Sequence, residues 1–241
     1  MENLDEFGIL TVFIDGPERN FLNPGVMRGL LAQLKAANEN ESVKAILLTG
    51  KGEAFCGGLD LAAIRAGGDP VEFAACLSEL LKEFPRLRKP VAAAVNGDAV
   101  ASGGSMVAAV DYAVSVKSAK IGSYEVAVGV WPMVAQVPLI HRLGARAAME
   151  NIGSGNPLTA DRAFEIGLVN AVTDDEQVFT SAFGNIAFRI EQHGFVVTFV
   201  GHFVIGQDGI DVVAGSLGAH HRNIDVMARV ARHLDADAAF H

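Results

Sequence analysis
Cysteine is nearly missing from this chain of 241 residues: only Cys56 and Cys76 occur, in no Cys-x-x-Cys or other metal-ligand spacing. That excludes a disulfide-stapled scaffold and a structural zinc site, and it points to a reduced, cytoplasmic compartment. Basic charge is short too, with 19 Lys and Arg against 28 Asp and Glu and a net charge of −9. A broad face for nucleic acid or for an anionic membrane is therefore disfavoured. The most apolar stretch, residues 91–116, is interrupted by Asn96, Asp98, Ser102 and Asp111, so it cannot cross a bilayer without stranding polar groups. The opening Met-Glu-Asn-Leu-Asp-Glu is acidic, unlike a basic secretory or transit leader, so a mature, soluble protein is expected.

Two nucleotide signatures are incomplete. Gly52 to Gly57 has the glycine spacing of a phosphate loop, but Gly58-Leu59 stands where Lys-Ser or Lys-Thr is required. Gly153-Ser154-Gly155 lacks the third glycine of a dinucleotide fingerprint. Neither nucleotide hydrolysis nor a nicotinamide cofactor is implied. Six of the seven histidines lie from His193 onward, where His220 and His221 are adjacent and no metal-binding pairing stands out, so no metal site is expected.

What is present is a chain that is 50% hydrophobic, enough for one large α/β core. Ile9 to Ile14 reads as a strand, and Asn23-Pro24 opens a helix to about Ala37 with Val26, Leu30, Leu31 and Leu34 on one stripe. Ala45 to Thr49 is a strand, Asp60 caps a helix from Leu61, and Asp69-Pro70 opens another to about Phe84. Val91 to Val95 and Tyr112 to Val116 are strands flanking a helix of small residues that ends near Val110. Helices are expected around Ala135 to Leu143, Ala145 to Ile152 and Ala160 to Ile166, with Thr159 as a cap, Gly167 as a stop, and a last strand over Val169 to Val172.

Two glycine loops each lead directly into a helix. One reads Gly52-Glu-Ala-Phe-Cys-Gly-Gly-Leu-Asp60 and the other runs from Asn96-Gly97 through Ser102-Gly103-Gly104-Ser105 to Asp111. Helix N-termini present outward-pointing N–H groups and partial positive charge, which suits a developing enolate or tetrahedral oxyanion. The pattern thus points to chemistry on a carbonyl. Taken singly, each Gly-Gly reads as well as an ordinary turn, Asp60 as a helix cap, Cys56 as a small buried hydrophobe, Ser105 as helix packing and Glu125 as a solvated loop carboxylate.

Together with Asn20-Phe21-Leu22-Asn23, Gly122-Ser123-Tyr124-Glu125, Gly129, Pro132, Arg142-Leu143-Gly144 and Ala163 to Val169, these loops resemble the enoyl-CoA hydratase/isomerase (crotonase) family over about Ile9 to Val172. The resemblance implies an α/β superhelix of repeated ββα units over residues 1–183. Residues 184–241 would then be a divergent C-terminal region, helical and oligomerising in the family. It also implies an acyl-CoA thioester as partner, no cofactor beyond the coenzyme A of the substrate, and a homotrimer or hexamer. The resemblance places the oxyanion donors at Gly57 and Ser102 and the proton carrier at Glu125. Phe21, Ala54, Gly58, Leu59, Asp60 and Ser105 would line the substrate.

Hydratases of the family carry a carboxylate at both acid/base positions, whereas this chain has Ser105 at one and Glu125 at the other. A serine hydroxyl is no base near neutral pH, while one carboxylate suffices to shift a double bond. Isomerisation of a 3-enoyl-CoA is therefore favoured over hydration, with a non-catalytic acyl-CoA-binding protein as the rival from another class. Tyr124 stands where the family commonly has proline. Met133-Val134-Ala135-Gln136 replaces its glycine-rich stretch after Pro132.

Overall fold
The computed structural model describes residues 3–174, helical positions 178, 181 and 182, and two strand segments at 204–206 and 209–211. The chain divides into two units, Met1–Ala187 and Phe188–His241. The first unit opens with β1 (Ile9–Ile14), the short turn α1 (Pro17–Asn20), α2 (Pro24–Glu39) and β2 (Ala45–Gly50). It continues with α3 (Leu61–Arg65), α4 (Pro70–Glu83), β3 (Val91–Val95), β4 (Ala99–Val100), α5 (Ser102–Ala109), β5 (Tyr112–Val116) and β6 (Lys120–Gly122). A 3-10 turn at Glu125–Val128 precedes α6 (Gln136–Ser154), β7 (Leu158–Thr159), α7 (Ala160–Glu165) and β8 (Ala171–Thr173).

The main sheet is parallel throughout, in the order β1-β2-β3-β5-β8. Ile9 pairs with Ala45, Ile46 with Val91, Ala92 with Tyr112, and Val114 with Ala171. Helices cover such a sheet on its faces, so its inner strands read as continuous apolar runs instead of alternating ones. That explains Ala-Ile-Leu-Leu in β2 and Val-Ala-Ala-Ala-Val in β3, which are buried at every position. At the edge, β1 exposes Phe13 and half-buries Thr11.

The caps form as the sequence leads one to expect. The side chains of Asn23, Asp60, Asp69 and Thr159 accept from the N–H groups of Val26, Ala63, Val71 and Arg162. The buried stripe of α2 differs: it is Met27, Leu30, Leu34 and Ala37, with Val26 and Leu31 only half-buried. Each helix shifts its phase by packing, which a count of aliphatic residues does not weigh. The two helices expected on either side of Gly144 abut in α6, where Gly144 leaves helical dihedrals at φ 74° and ψ 160°. The last strand begins at Ala171 because Leu168 and Val169 turn into the core before it.

A second, smaller sheet, β4-β6-β7, is absent from the sequence expectation. Its strands have two or three residues, too few to show a period. β4 runs parallel to β6, and β6 antiparallel to β7. Single bridges fasten the first glycine loop alongside it, Cys56 to Ala99 of β4 and Leu59 to Leu22 of the segment after α1. In the second unit, β9 (Val204–Gly206) and β10 (Gly209–Asp211) form an antiparallel pair, Ile205 opposite Ile210. The expected helical, oligomerising tail and its late histidines otherwise lie outside the described residues. Among the described residues no helix is long and apolar enough to cross a membrane.

Candidate active site
Two buried or half-buried amides shape the first glycine loop. Asn20, at φ 59°, donates from Nδ2 to the carbonyls of Lys51 at 3.0 Å and Ala54 at 2.7 Å. Asn96 accepts from Gly50 N–H at 3.0 Å and donates to the carbonyls of Gly50 and Gly52. The N–H groups of Phe55 and Cys56 both reach the Asp98 carbonyl, and Val100 N–H reaches the Cys56 carbonyl at 3.0 Å. The first loop is thereby sewn to the second.

One expected donor is engaged within the protein. Gly57 N–H is committed to the Arg19 carbonyl at 2.9 Å, so an oxyanion could use it only by breaking that bond. The Phe21 ring lies on Gly57, where a Cβ would sit 2.6 Å from Cε1. Past Gly57 the chain is extended: Leu22 N–H donates to the Gly58 carbonyl at 2.8 Å, and Asp60 N–H to the Leu22 carbonyl at 2.9 Å. Successive amides of an extended strand point to opposite sides. Leu59 N–H therefore faces away from Leu22, and it has no partner among the described residues. Leu59, expected only among the lining residues, thus carries the open amide of this loop. The signal that would have found it is the Leu22–Leu59 bridge, a tertiary pairing invisible in a linear motif.

The other expected donor, Ser102 N–H, opens α5 and likewise has no partner among the described residues, as the first amides of a helix must. Gly58, at φ +95°, brings the two loops together: a Cβ there would meet Ala101 Cβ at 2.7 Å and Ser102 N at 3.6 Å. Ala101 sits at φ 54° and ψ −123°, a conformation that stores about 1–3 kcal/mol. Helix α5 is buried from Ser102 to Ala108. Its glycines are required by contact, since a Cβ on Gly103 would lie 2.3 Å from the Cys56 carbonyl and one on Gly104 2.6 Å from Gly122 Cα.

Glu125 reaches this region through β6, whose last residue, Gly122, accepts Ala101 N–H at 2.8 Å. Its carboxylate is half-buried and accepts at Oε2 from Ser123 Oγ at 2.6 Å and from Tyr124 N–H at 2.9 Å. Proline at position 124 could not supply that second donor. Ser105 is fully buried, and its hydroxyl donates to the Ala135 carbonyl at 2.6 Å, tying α5 to the start of α6. Its one proton thus serves packing between these helices. Ala54 is buried and lends its carbonyl to Asn20, while Asp60 is the N-cap of α3. Burial pushes the Cys56 thiol up to about 12, which leaves it inert as a nucleophile. No cluster of three or more metal-ligating side chains occurs among the described residues.

Two unengaged amides, one at a buried helix N-terminus, and a carboxylate in the 3-10 turn that follows β6 are groups that can stabilise negative charge at a carbonyl and move a proton. The chain belongs to the enoyl-CoA hydratase/isomerase family, whose model matches residues 5–195. It is 34% identical over 179 residues to a putative enoyl-CoA hydratase of Thermus thermophilus, covering 71% of this chain and 70% of that one. It is 32% identical over 187 residues to the 1,2-epoxyphenylacetyl-CoA isomerase of Escherichia coli, covering 73% and 71%. Among solved structures, the enoyl-CoA hydratase of Mycobacterium smegmatis superposes with a TM-score of 0.72 at 30% identity, covering 76% of this chain and 73% of that chain. The α/β architecture is accordingly the crotonase fold of these enzymes.

Proposed function
We propose that this enzyme acts on acyl-CoA thioesters and moves a double bond, converting a 3-enoyl-CoA to the trans-2-enoyl-CoA. The thioester oxygen sits between Leu59 N–H and Ser102 N–H. Glu125 takes the proton from C2; the electron pair of that C–H bond forms a C1–C2 double bond as the carbonyl pair moves onto the thioester oxygen, giving a dienolate that keeps its C3–C4 double bond. Glu125 then returns the proton to C4: the C3–C4 pair takes it, the C1–C2 pair shifts to C2–C3 and the oxygen pair restores the carbonyl, so nothing is consumed and no further cofactor is called for. The exposed apolar run after Glu125, with Val128, Val130, Trp131 and Met133, offers surface to an acyl chain.

The observation that carries isomerisation over hydration is Ser105. Its position in the family would hold the second carboxylate of a hydratase, and here it holds a buried hydroxyl occupied by the Ala135 carbonyl. Activating a water molecule needs a base that this group does not provide. Hydration remains the second reading because the Thermus and Mycobacterium relatives are named hydratases. Parallel assays with a 3-enoyl-CoA and a trans-2-enoyl-CoA separate the two. Isomerisation of the former without hydration of the latter is expected, and rapid hydration without migration overturns the proposal. Glu125→Gln is expected to lower turnover by about 10²–10⁴-fold while leaving thioester affinity near the parent value. Binding without turnover in the parent would mark a non-catalytic acyl-CoA-binding protein.

A further inference from the structure
Resting on the reading of Glu125 as proton carrier, we propose that Ser123 is a positioning residue: its hydroxyl immobilises one carboxylate oxygen of Glu125 so that the other does all the carrying. The two oxygens are unequal. Oε2 receives Ser123 Oγ–H at 2.6 Å and Tyr124 N–H at 2.9 Å, whereas Oε1 has no partner among the described residues. Any rotation that exchanged the oxygens would break both bonds at once. Oε1 is therefore the atom left to visit C2 and then C4, and a single oxygen that pivots between them keeps the proton on one face of the substrate.

The seat beneath this pair is built rigidly. Ser123 is 1% exposed, and its main chain is held from both sides by one side chain: its N–H donates to Asn151 Oδ1 at 2.6 Å, and its carbonyl accepts from Asn151 Nδ2 at 3.2 Å. Asn151 is itself 1% exposed, projects from α6, and spends its remaining amide hydrogen on the Asn156 carbonyl at 2.8 Å. Gly122, at φ +117°, allows this approach, because a Cβ there would lie 2.5 Å from Asn151 Oδ1. A buried carboxamide thus fixes the serine backbone, and the serine fixes the carboxylate. Tyr124 adds the second donor only because residue 124 is not proline. Preorganisation of this kind matters to rate out of proportion to its contribution to stability, since a misplacement of about 1 Å can cost about 10²-fold.

The test uses the full-length protein and 3-hexenoyl-CoA. Ser123→Ala should lower kcat by about 10- to 100-fold with KM and thermal midpoint close to the parent, and Ser123→Thr, which keeps the hydroxyl, should recover most of the loss. Ser123→Gly serves as a second variant without the hydroxyl should the alanine protein fold poorly. Placed on Glu125→Gln, the Ser123→Ala change should have no further effect, as two members of one unit are not additive. Parent-level kcat in the hydroxyl-free variants overturns the proposal, and so does a loss in which KM and thermal midpoint move with kcat and threonine restores nothing. Parent-level turnover by Glu125→Gln would instead sink the underlying assignment of the base, so the two failures are told apart.

Discussion

Gly58→Ala perturbs the junction on which both amide donors depend. The added Cβ would lie 2.7 Å from Ala101 Cβ, 0.7 Å inside the 3.4 Å at which ordinary contact begins, and the residue would carry an L side chain at φ +95°. The dihedral costs about 1–2 kcal/mol and the overpacking about 1–3 kcal/mol. At roughly 2–4 °C per kcal/mol for a chain of this size, the thermal midpoint should fall by on the order of 10 °C. Relief of the contact requires the loop bearing Leu59 to recede from the N-terminus of α5 by most of an ångström, so kcat for double-bond migration should drop by about 10²-fold. The contact is with one methyl group, which Ala101→Gly removes. The double variant Gly58→Ala/Ala101→Gly should therefore regain the overpacking share, about 1–3 kcal/mol more than the single changes add up to. Thermal melts and steady-state rates on the four proteins of the cycle decide the matter. Strict additivity, or a Gly58→Ala enzyme with parent kcat, would refute the close approach of the two loops as the determinant of donor geometry.

Ala101→Gly alone should stabilise the protein by about 1 kcal/mol, the released strain exceeding the added entropy of the unfolded chain; urea midpoints measure it. Ser105→Ala strands the buried Ala135 carbonyl and should cost about 1–3 kcal/mol, yet leave kcat within about threefold, because the hydroxyl is spent on bracing α6; a large, selective fall in kcat would contradict that role. Asn20→Ala removes the donors to Lys51 and Ala54 and leaves alanine at φ 59°, a loss of about 3 kcal/mol, with Asn20→Gly intermediate because glycine tolerates the dihedral. Burial raises the Cys56 thiol to about 12 from an ordinary 9.0. Its contribution to stability is thus complete below pH about 9 and is lost as pH rises toward about 12, a limb that Cys56→Ala should flatten; thiol reagents at neutral pH should label Cys56 only on unfolding.

The main sheet was legible because its inner strands are continuous runs bounded by turn residues, and the helices because Asn23, Asp60, Asp69 and Thr159 announce their starts. The strands β4, β6 and β7 were not, since their pairing partners lie in other segments and supply the only reason for them to be extended. The same cause hides which amide of the first glycine loop is open. Gly57 and Leu59 look equally plausible in a linear motif. Only the Leu22 bridge and the Arg19 carbonyl decide which amide is spent and which is open. That the second glycine loop leads into a helix was readable from the sequence, and the family resemblance singled out Ser102 at its head, whereas the Asn151–Ser123–Glu125 sequence of contacts joins residues from two elements and needed the fold.

The pairing order of the main sheet also constrains how the chain can be made. β5 is flanked by β3 and by β8, and the last of these starts at Ala171. A ribosome that has just released Val116 must add residues 117–170 before that neighbour exists, a wait of several seconds at roughly 5–20 residues per second. Throughout it, one rim of a mostly apolar strand is open to any other nascent peptide. Slower translation of this interval should lower the soluble yield, and a chaperone that shields the rim should restore it.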